Sequence, residues 1–169
     1  MDASTGPRGV VGLDLARKIP IAFRVDPQVP VKSPDKTKAA IFVLVWFETL
    51  DYSYASGDAD PLRQTIALGC FTCANWIIEA QTQADKKLTR VGGYVHVRDL
   101  AYIGPAKGGD YRFRAVLNRD PGVLTSPDGT KTAIASSSGE MVDLLVGLKT
   151  SSLTGTTSWL MKSVTTPSG

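Results

Sequence analysis

Two cysteines, Cys70 and Cys73, are the only ones in the chain, and their Cys-x-x-Cys spacing is compatible with three kinds of chemistry. A structural zinc site needs four ligands, but the sequence offers no second pair and only one histidine. A redox-active pair needs its first sulfur exposed at a helix N-terminus, normally within a βαβ unit, and predicted helices precede this pair instead. A local structural disulfide is the favoured interpretation, and it implies an oxidising compartment.

The second group of residues with chemical potential follows the change from helical to strand-like patterning. The only histidine, His96, lies in an alternating segment, where we expect it to share a face with Tyr94 and Tyr102. Histidine exchanges protons near neutral pH. Asp143 stands among apolar residues on another predicted strand, where a carboxylate must be paired, exposed or raised in pKa. Tyr94, His96, Tyr102 and Asp143 are therefore the candidate pocket residues.

None of these residues stands in a recognisable catalytic motif, so the sequence assigns no catalytic residue. Glycine-rich dinucleotide loops, phosphate-binding loops, nucleophile elbows and His-Glu-x-x-His zinc motifs are all missing from the sequence. We accordingly predict no cofactor and no metal site.

Composition narrows the class of protein further. A chain of 169 residues with 43% apolar and 21% charged residues is typical of one globular domain with a sizeable core. The net charge is only +3, and the basic residues form no long run. Nucleic acid is therefore not expected as a partner.

The elements that must position these residues follow from the turn signals. Residues 1–32 are rich in proline and glycine and predict a tether, partly extended. Residues 33–169 predict one α+β domain: helices over 33–56, 62–68 and 73–86, then four antiparallel strands. Ser33 is the expected cap of the first helix, and Gly57 its expected stop. The tryptophans Trp46, Trp76 and Trp159 are expected in the core.

Two resemblances add to this interpretation. Residues 46–58, with the sequence WFETLDYSYASGD, followed by Pro61-Leu62 and the Cys70–Cys73 pair, resemble an uncharacterised family of actinobacterial surface lipoproteins. The order of elements resembles the cystatin-like cone of the nuclear-transport-factor-two superfamily, here three N-terminal helices packed on a curved four-stranded sheet. The lipoprotein resemblance implies export to the cell envelope and anchoring through a lipidated N-terminal cysteine. This sequence lacks that cysteine, so contact with a membrane is expected only through a removed anchor.

These observations predict a non-catalytic, cell-surface ligand-binding or scaffold domain, whose partner is a small molecule or a surface protein. The alternative is a small-molecule isomerase or cyclase-like enzyme that uses a pocket between the first helix and the sheet. The fold resemblance also implies a homodimer formed through the open sheet face, which would suit either function.

Overall fold

The computed structural model describes residues 31–167 and, before them, the backbone of three short strands. These are β1 (Asp2–Gly6), β2 (Gly9–Asp14) and β3 (Ile19–Ile21), which pair antiparallel in the order β1-β2-β3. They fall inside the segment predicted as a tether, residues 1–32, and the other residues before Val31 lie outside the described ones. Because strands precede the first helix, the prediction of three N-terminal helices is wrong in its order.

The first helix, α1 (Lys36–Ser56), has the stop expected from the sequence but a different cap. A carboxylate oxygen of Asp35 accepts a hydrogen bond from the amide of Lys38 at 2.8 Å, so Asp35 caps the helix instead of Ser33. Gly57 ends the helix with a φ of 79°, the left-handed conformation that favours glycine.

The next two helices, α2 (Asp60–Arg63) and α3 (Phe71–Asp85), differ in length from their predictions. The second helix is short because the chain after it pairs with the sheet. The amide of Met161 donates to the carbonyl of Thr65 at 2.8 Å, and the amide of Ala67 donates to the carbonyl of Met161 at 2.9 Å. The third helix starts two residues before the predicted Cys73, so the Cys-x-x-Cys pair occupies its first turn.

Four long strands form the main antiparallel sheet, as predicted. They are β5 (Val95–Pro105), β6 (Tyr111–Arg119), β9 (Ser137–Thr150) and β10 (Thr157–Thr165), in the order β10-β9-β6-β5. A further, small and unpredicted sheet contains β4 (Thr89–Gly92), β7 (Gly122–Thr125) and β8 (Lys131–Ile134), in the order β4-β7-β8. Its strands have four residues each, too few for a clear alternating pattern.

The core lies between the helices and one face of the main sheet. Phe47 and Leu50 of α1 are buried, as are Phe113 and Leu144 of the sheet. Trp46 is fully buried and its indole nitrogen donates to the hydroxyl of Thr65 at 3.1 Å. The other two tryptophans are partly buried and pack against the same cluster. The α+β class is therefore confirmed, whereas the cone shape stays a prediction.

Candidate functional site

A group of polar side chains, all buried except Glu79, gathers where the C-terminal halves of α1 and α3 meet the small sheet. We call it the polar cluster; its members are Asp51, Tyr54, Glu79, Gln83 and Arg90. Four of them make direct side-chain contacts. The hydroxyl of Tyr54 donates to Glu79 at 2.7 Å, the guanidinium of Arg90 lies 4.1 Å from the centre of the Tyr54 ring, and the same guanidinium donates to Gln83. The four candidate pocket residues predicted from the sequence include none of these five.

Arg90 is held from several sides. Its guanidinium donates to the side-chain oxygen of Gln83 and to the carbonyl of Gly92, both at 3.2 Å, and to the carbonyl of Gly93. Burial lowers the pKa of this arginine, and the negative charge of Glu79 acts in the opposite direction. With three acceptors and an aromatic ring around it, Arg90 joins α3, β4 and the turn that follows β4.

The glycines of this turn explain how carbonyl groups reach a buried arginine. Gly92 and Gly93 have φ values of 75° and 69°, in the left-handed region that side chains disfavour. A Cβ atom on Gly93 would lie 3.1 Å from a guanidinium nitrogen of Arg90 and 2.7 Å from a methyl carbon of Ile134. The pair of consecutive glycines at the end of β4 is the signal in the sequence that could have indicated a close approach here.

Asp51 is an acidic residue of the polar cluster whose pKa is strongly raised. One of its carboxylate oxygens accepts the amide of Val95 at 2.8 Å, which ties α1 to the first residue of β5. Burial raises the pKa of Asp51 to about 7, although the Val95 amide and the positive charges of His96, Arg90 and Arg119 act to lower it. The carboxyl group can therefore exchange a proton near neutral pH, but it is buried and a reactant in solution does not reach it directly.

The four predicted pocket residues do not form one site. Tyr94 lies between β4 and β5, with the Arg90 guanidinium 5.8 Å from the centre of its ring. His96 is exposed, and its Nε2 atom lies 2.5 Å from a carboxylate oxygen of Asp120. Asp143 and Tyr102 are on opposite faces of the main sheet.

Tyr102 does not share the face of His96, contrary to prediction, because β5 contains a bulge. Val97 is paired with Leu117, whereas Asp99 is paired with Val116, so Arg98 is an extra residue. One extra residue reverses the faces of all residues that follow it. Tyr102 therefore lies on the inner face, where its ring packs 5.6 Å from that of Phe113.

Asp143 faces outward, because its neighbours Val142 and Leu144 are the ones that enter the core. It accepts two hydrogen bonds from its cross-strand partner Arg114, at 2.7 and 3.0 Å. These hydrogen bonds hold the pKa of the Asp143 carboxyl below its usual range. The sequence had required pairing, exposure or a raised pKa at this position; the structure shows pairing at the surface.

The predicted disulfide between Cys70 and Cys73 is confirmed, with 5.3 Å between the two Cα atoms. Both cysteines are buried and belong to the core cluster, which also contains Ile77 and Ala80 of α3. A thiol–disulfide exchange enzyme needs an accessible sulfur, so burial favours a structural role over redox catalysis. Within the described ranges, no three histidine, cysteine or acidic side chains lie together as metal ligands.

Fold and site define a small α+β domain, with helices against one face of an antiparallel sheet, a buried disulfide and a structural polar cluster. The family model named Family of unknown function (DUF6318) matches residues 26–163, and the chain belongs to this family. No curated protein matches the chain. Among solved structures, the intermembrane space region of the chloroplast protein ARC6 is similar, with a TM-score of 0.49, 12% identity, and coverage of 80% of this chain and 100% of that one.

Hydropathy adds one finding about membranes. Among the helices of the described residues, none combines the length and the apolar character needed to cross a bilayer.

Proposed function

We propose that this chain is a non-catalytic binding or scaffold domain that is exported and held at the actinobacterial cell surface through a lipid anchor. The Cys70–Cys73 disulfide is the observation that carries the proposal, because such bonds persist in oxidising compartments and are rare in the cytosol. The lipoprotein resemblance of residues 46–73 supports the location. We propose in addition that the domain has the cystatin-like cone fold.

The state of the acid–base side chains supports a non-catalytic role. His96 is paired with Asp120 at an exposed position, and Asp143 is paired with Arg114 at a partly exposed position of the main sheet. Between α1 and the sheet, where the alternative enzyme would need its pocket, Phe42, Trp46, Phe47 and Leu50 fill the space as buried core residues. The acid–base side chains His96 and Asp143 are therefore already paired, and the space between α1 and the sheet is filled by apolar side chains.

Location and redox state are tested together in the native host. Intact cells carrying the epitope-tagged, full-length protein are treated with a biotinylation reagent that does not cross membranes, and then with a thiol-alkylating reagent under denaturing conditions without reductant. We expect surface labelling and no alkylation. The Cys70→Ser variant is the positive control, since it leaves Cys73 as a free thiol. Alkylation of the wild-type protein, or biotinylation only after lysis, would overturn the proposal.

The isomerase or cyclase-like alternative is favoured by one observation, the raised pKa of Asp51. It requires that the polar cluster open to admit a substrate. Intact mass spectrometry of protein purified from its host, under native and then denaturing conditions, tests this. A small molecule that is released on denaturation, and that the wild-type protein converts while Asp51→Asn does not, would establish the enzyme. A mass two hydrogens below that of the reduced chain, without an adduct, agrees with the non-catalytic domain.

A further inference from the structure

The small sheet buries little apolar surface against the rest of the domain. Arg90 is the one buried residue among the described strands β4, β7 and β8, and the paired residues Val91 and Val123 are both exposed. The guanidinium of Arg90 contacts Gln83 of α3 and the ring of Tyr54 of α1. Units with few buried apolar contacts open at a lower free energy than the core. The small sheet should therefore be able to open while the core stays folded.

Glycines lie where the chain passes between the small sheet and the main sheet. The chain leaves β4 through Gly92 and Gly93, and it enters β7 at Gly122, which is paired with Gly92. Across this corner the amide of Gly93 donates to the carbonyl of Pro121 at 3.2 Å. A hinge needs a few residues at the ends of elements that absorb changes of φ and ψ, and glycine has the widest range of both. The corner has the composition and the position of a hinge.

Asp51 fastens α1 to this corner. Its carboxylate accepts the amide of Val95, two residues after Gly93, at 2.8 Å, and the residue is only 6% exposed. Among the described residues, Val95 is the only hydrogen-bond donor to this carboxyl group. A buried carboxylate with one donor has lost most of its hydration without full replacement, which disfavours the charged form. Opening the corner returns water to the carboxyl group, so the charged form favours the open arrangement.

Ionisable groups on the neighbouring elements act on this carboxyl group. Burial raises the pKa of Asp51 to about 7, against the Val95 amide and the positive charges of His96, Arg90 and Arg119. The ionisable side chains that the described elements bring to this region are Glu48, Tyr52 and Tyr54 of α1, Glu79 of α3, Arg90 of β4, Tyr94 and His96 at the start of β5, and Arg119 and Asp120 at the end of β6. Two of the acidic groups are already engaged, Glu79 by Tyr54 and Asp120 by His96.

We propose that the small sheet opens away from α1 and α3 when Asp51 loses its proton, and that it closes when the proton returns. The open form exposes Arg90 and Tyr54 to solvent, so it is the form in which a ligand reaches the polar cluster. This proton-linked opening goes beyond the proposed function and does not depend on it.

The sign of the pH dependence follows from proton linkage. Between 3.8, the ordinary pKa of the carboxyl group, and about 7, the closed form keeps a proton that the open form releases. In that range the ratio of open to closed molecules should rise by about tenfold per pH unit. Above pH 7 the carboxyl group is ionised in both forms, so the ratio should become level.

Hydrogen exchange of backbone amides in the full chain, followed by NMR from pH 4 to pH 8, tests the proposal. Each rate is divided by the intrinsic chemical rate, which leaves the opening of that amide. For Val95 and the amides of β4 and β7, we expect opening to increase on the order of a hundredfold between pH 4 and pH 7. This opening should not change in low concentrations of urea. The amides of Leu50 and Leu144 in the core should exchange more slowly and accelerate with urea, because they report global unfolding.

Two variants assign the proton to a residue. Asp51→Asn keeps an oxygen for the Val95 amide and does not ionise, so its opening should be level across the pH range. His96→Gln is the matched control, since histidine side chains also change charge near neutral pH, and its opening should keep the wild-type rise.

Three outcomes would overturn the inference. In the first, the opening of wild-type Val95 does not change with pH. In the second, Val95 and the small sheet exchange at the same rate and with the same urea dependence as Leu50 and Leu144, so only global unfolding occurs. In the third, His96→Gln removes the rise, which assigns the proton to the histidine. If Asp51→Asn does not fold, the wild-type profile, its urea dependence and the His96→Gln variant still decide between these outcomes and the proposal.

Discussion

Asp51 and Asp143 show how the same side chain titrates differently in two surroundings. Asp51 is buried and accepts one backbone amide, so its neutral form is favoured and its pKa rises to about 7. Asp143 lies at the surface against a guanidinium, so its charged form is favoured and its pKa falls. The two residues should therefore give opposite pH dependences of stability.

The Asp51→Asn variant should lose less stability than the wild type as pH rises. In the unfolded chain the carboxyl titrates near its ordinary value of 3.8, and in the folded protein near 7. Between these values the folded state binds more protons, so the free energy of unfolding falls with rising pH. A difference of about three units between the folded and unfolded pKa corresponds to a loss of unfolding free energy on the order of 4 kcal/mol by pH 8. Urea denaturation at a series of pH values measures it.

The asparagine of the variant keeps an oxygen for the Val95 amide and carries no charge. The plot of unfolding free energy against pH for the variant should therefore lack the part of the slope that Asp51 contributes. Identical slopes for the two proteins between pH 4 and pH 7 would show that Asp51 titrates normally and would contradict its raised pKa.

The Asp143→Asn variant should behave in the opposite sense. A carboxyl with a lowered pKa stabilises the folded state above its ordinary pKa, and this contribution disappears as pH falls through the lowered value. The variant should therefore show a slightly lower urea midpoint at pH 7 and the wild-type midpoint in acid. Both partners are partly exposed, so the effect should be small and should shrink in high salt. If the urea midpoint of the variant fell further below that of the wild type in acid, the lowered pKa of Asp143 would be contradicted.

At the scale of elements, the turn after β4 positions the polar cluster. It brings the carbonyls of Gly92 and Gly93 to the guanidinium of Arg90, and it leads the chain into β5, whose first amide binds Asp51. The turn therefore connects the small sheet, the main sheet and both long helices. Its conformation depends on glycine, because both residues have positive φ.

Replacing Gly93 with alanine should destabilise the fold more than the same change at Gly139. Both glycines have positive φ, 69° and 73°, so each substitution has a conformational cost of about 1 kcal/mol. Only at Gly93 would the new Cβ meet neighbours, at 2.7 Å from Ile134 and 3.1 Å from Arg90, whereas at Gly139 the space is open. Overpacking should add about 1–3 kcal/mol at Gly93. Equal urea midpoints for the two variants would contradict this account of the turn.

At the scale of the whole molecule, the core of the described part extends from Ala39 to Val164, and the family match covers residues 26–163. Val31, also within this range, contacts the edge strand of the main sheet, since its amide donates to the carbonyl of Thr157 at 2.8 Å. All buried core residues except Val164 thus lie within the range that the family shares.

We therefore expect a protein of residues 26–169 to fold without the preceding segment. Its thermal unfolding should be one cooperative transition within a few degrees of that of the full chain, because the core and the disulfide are retained. Circular dichroism of both proteins, with and without reductant, measures this. A broad transition, or a much lower midpoint, would show that residues 1–25 contribute to the core and that the division at residue 32 is wrong.

The sequence by itself determined the features that depend on local chemistry. Gly57 ends α1 because its left-handed conformation favours glycine, and the α+β order follows from a change of period after Lys87. The two cysteines, three residues apart and without other metal ligands, left a disulfide as the favoured interpretation. The four long strands were likewise predictable, because each is long enough to alternate.

Only the tertiary structure decided which polar residues lie together. The bulge at Arg98 adds one residue to β5 and moves Tyr102 to the face opposite His96, and nothing in the local pattern marks it. The charge of Arg90 acts on Asp51 because distant elements converge at one end of α1, and the burial that raises the pKa of Asp51 comes from that packing. Periodicity describes one element at a time, whereas burial and pairing depend on what the other elements place beside it.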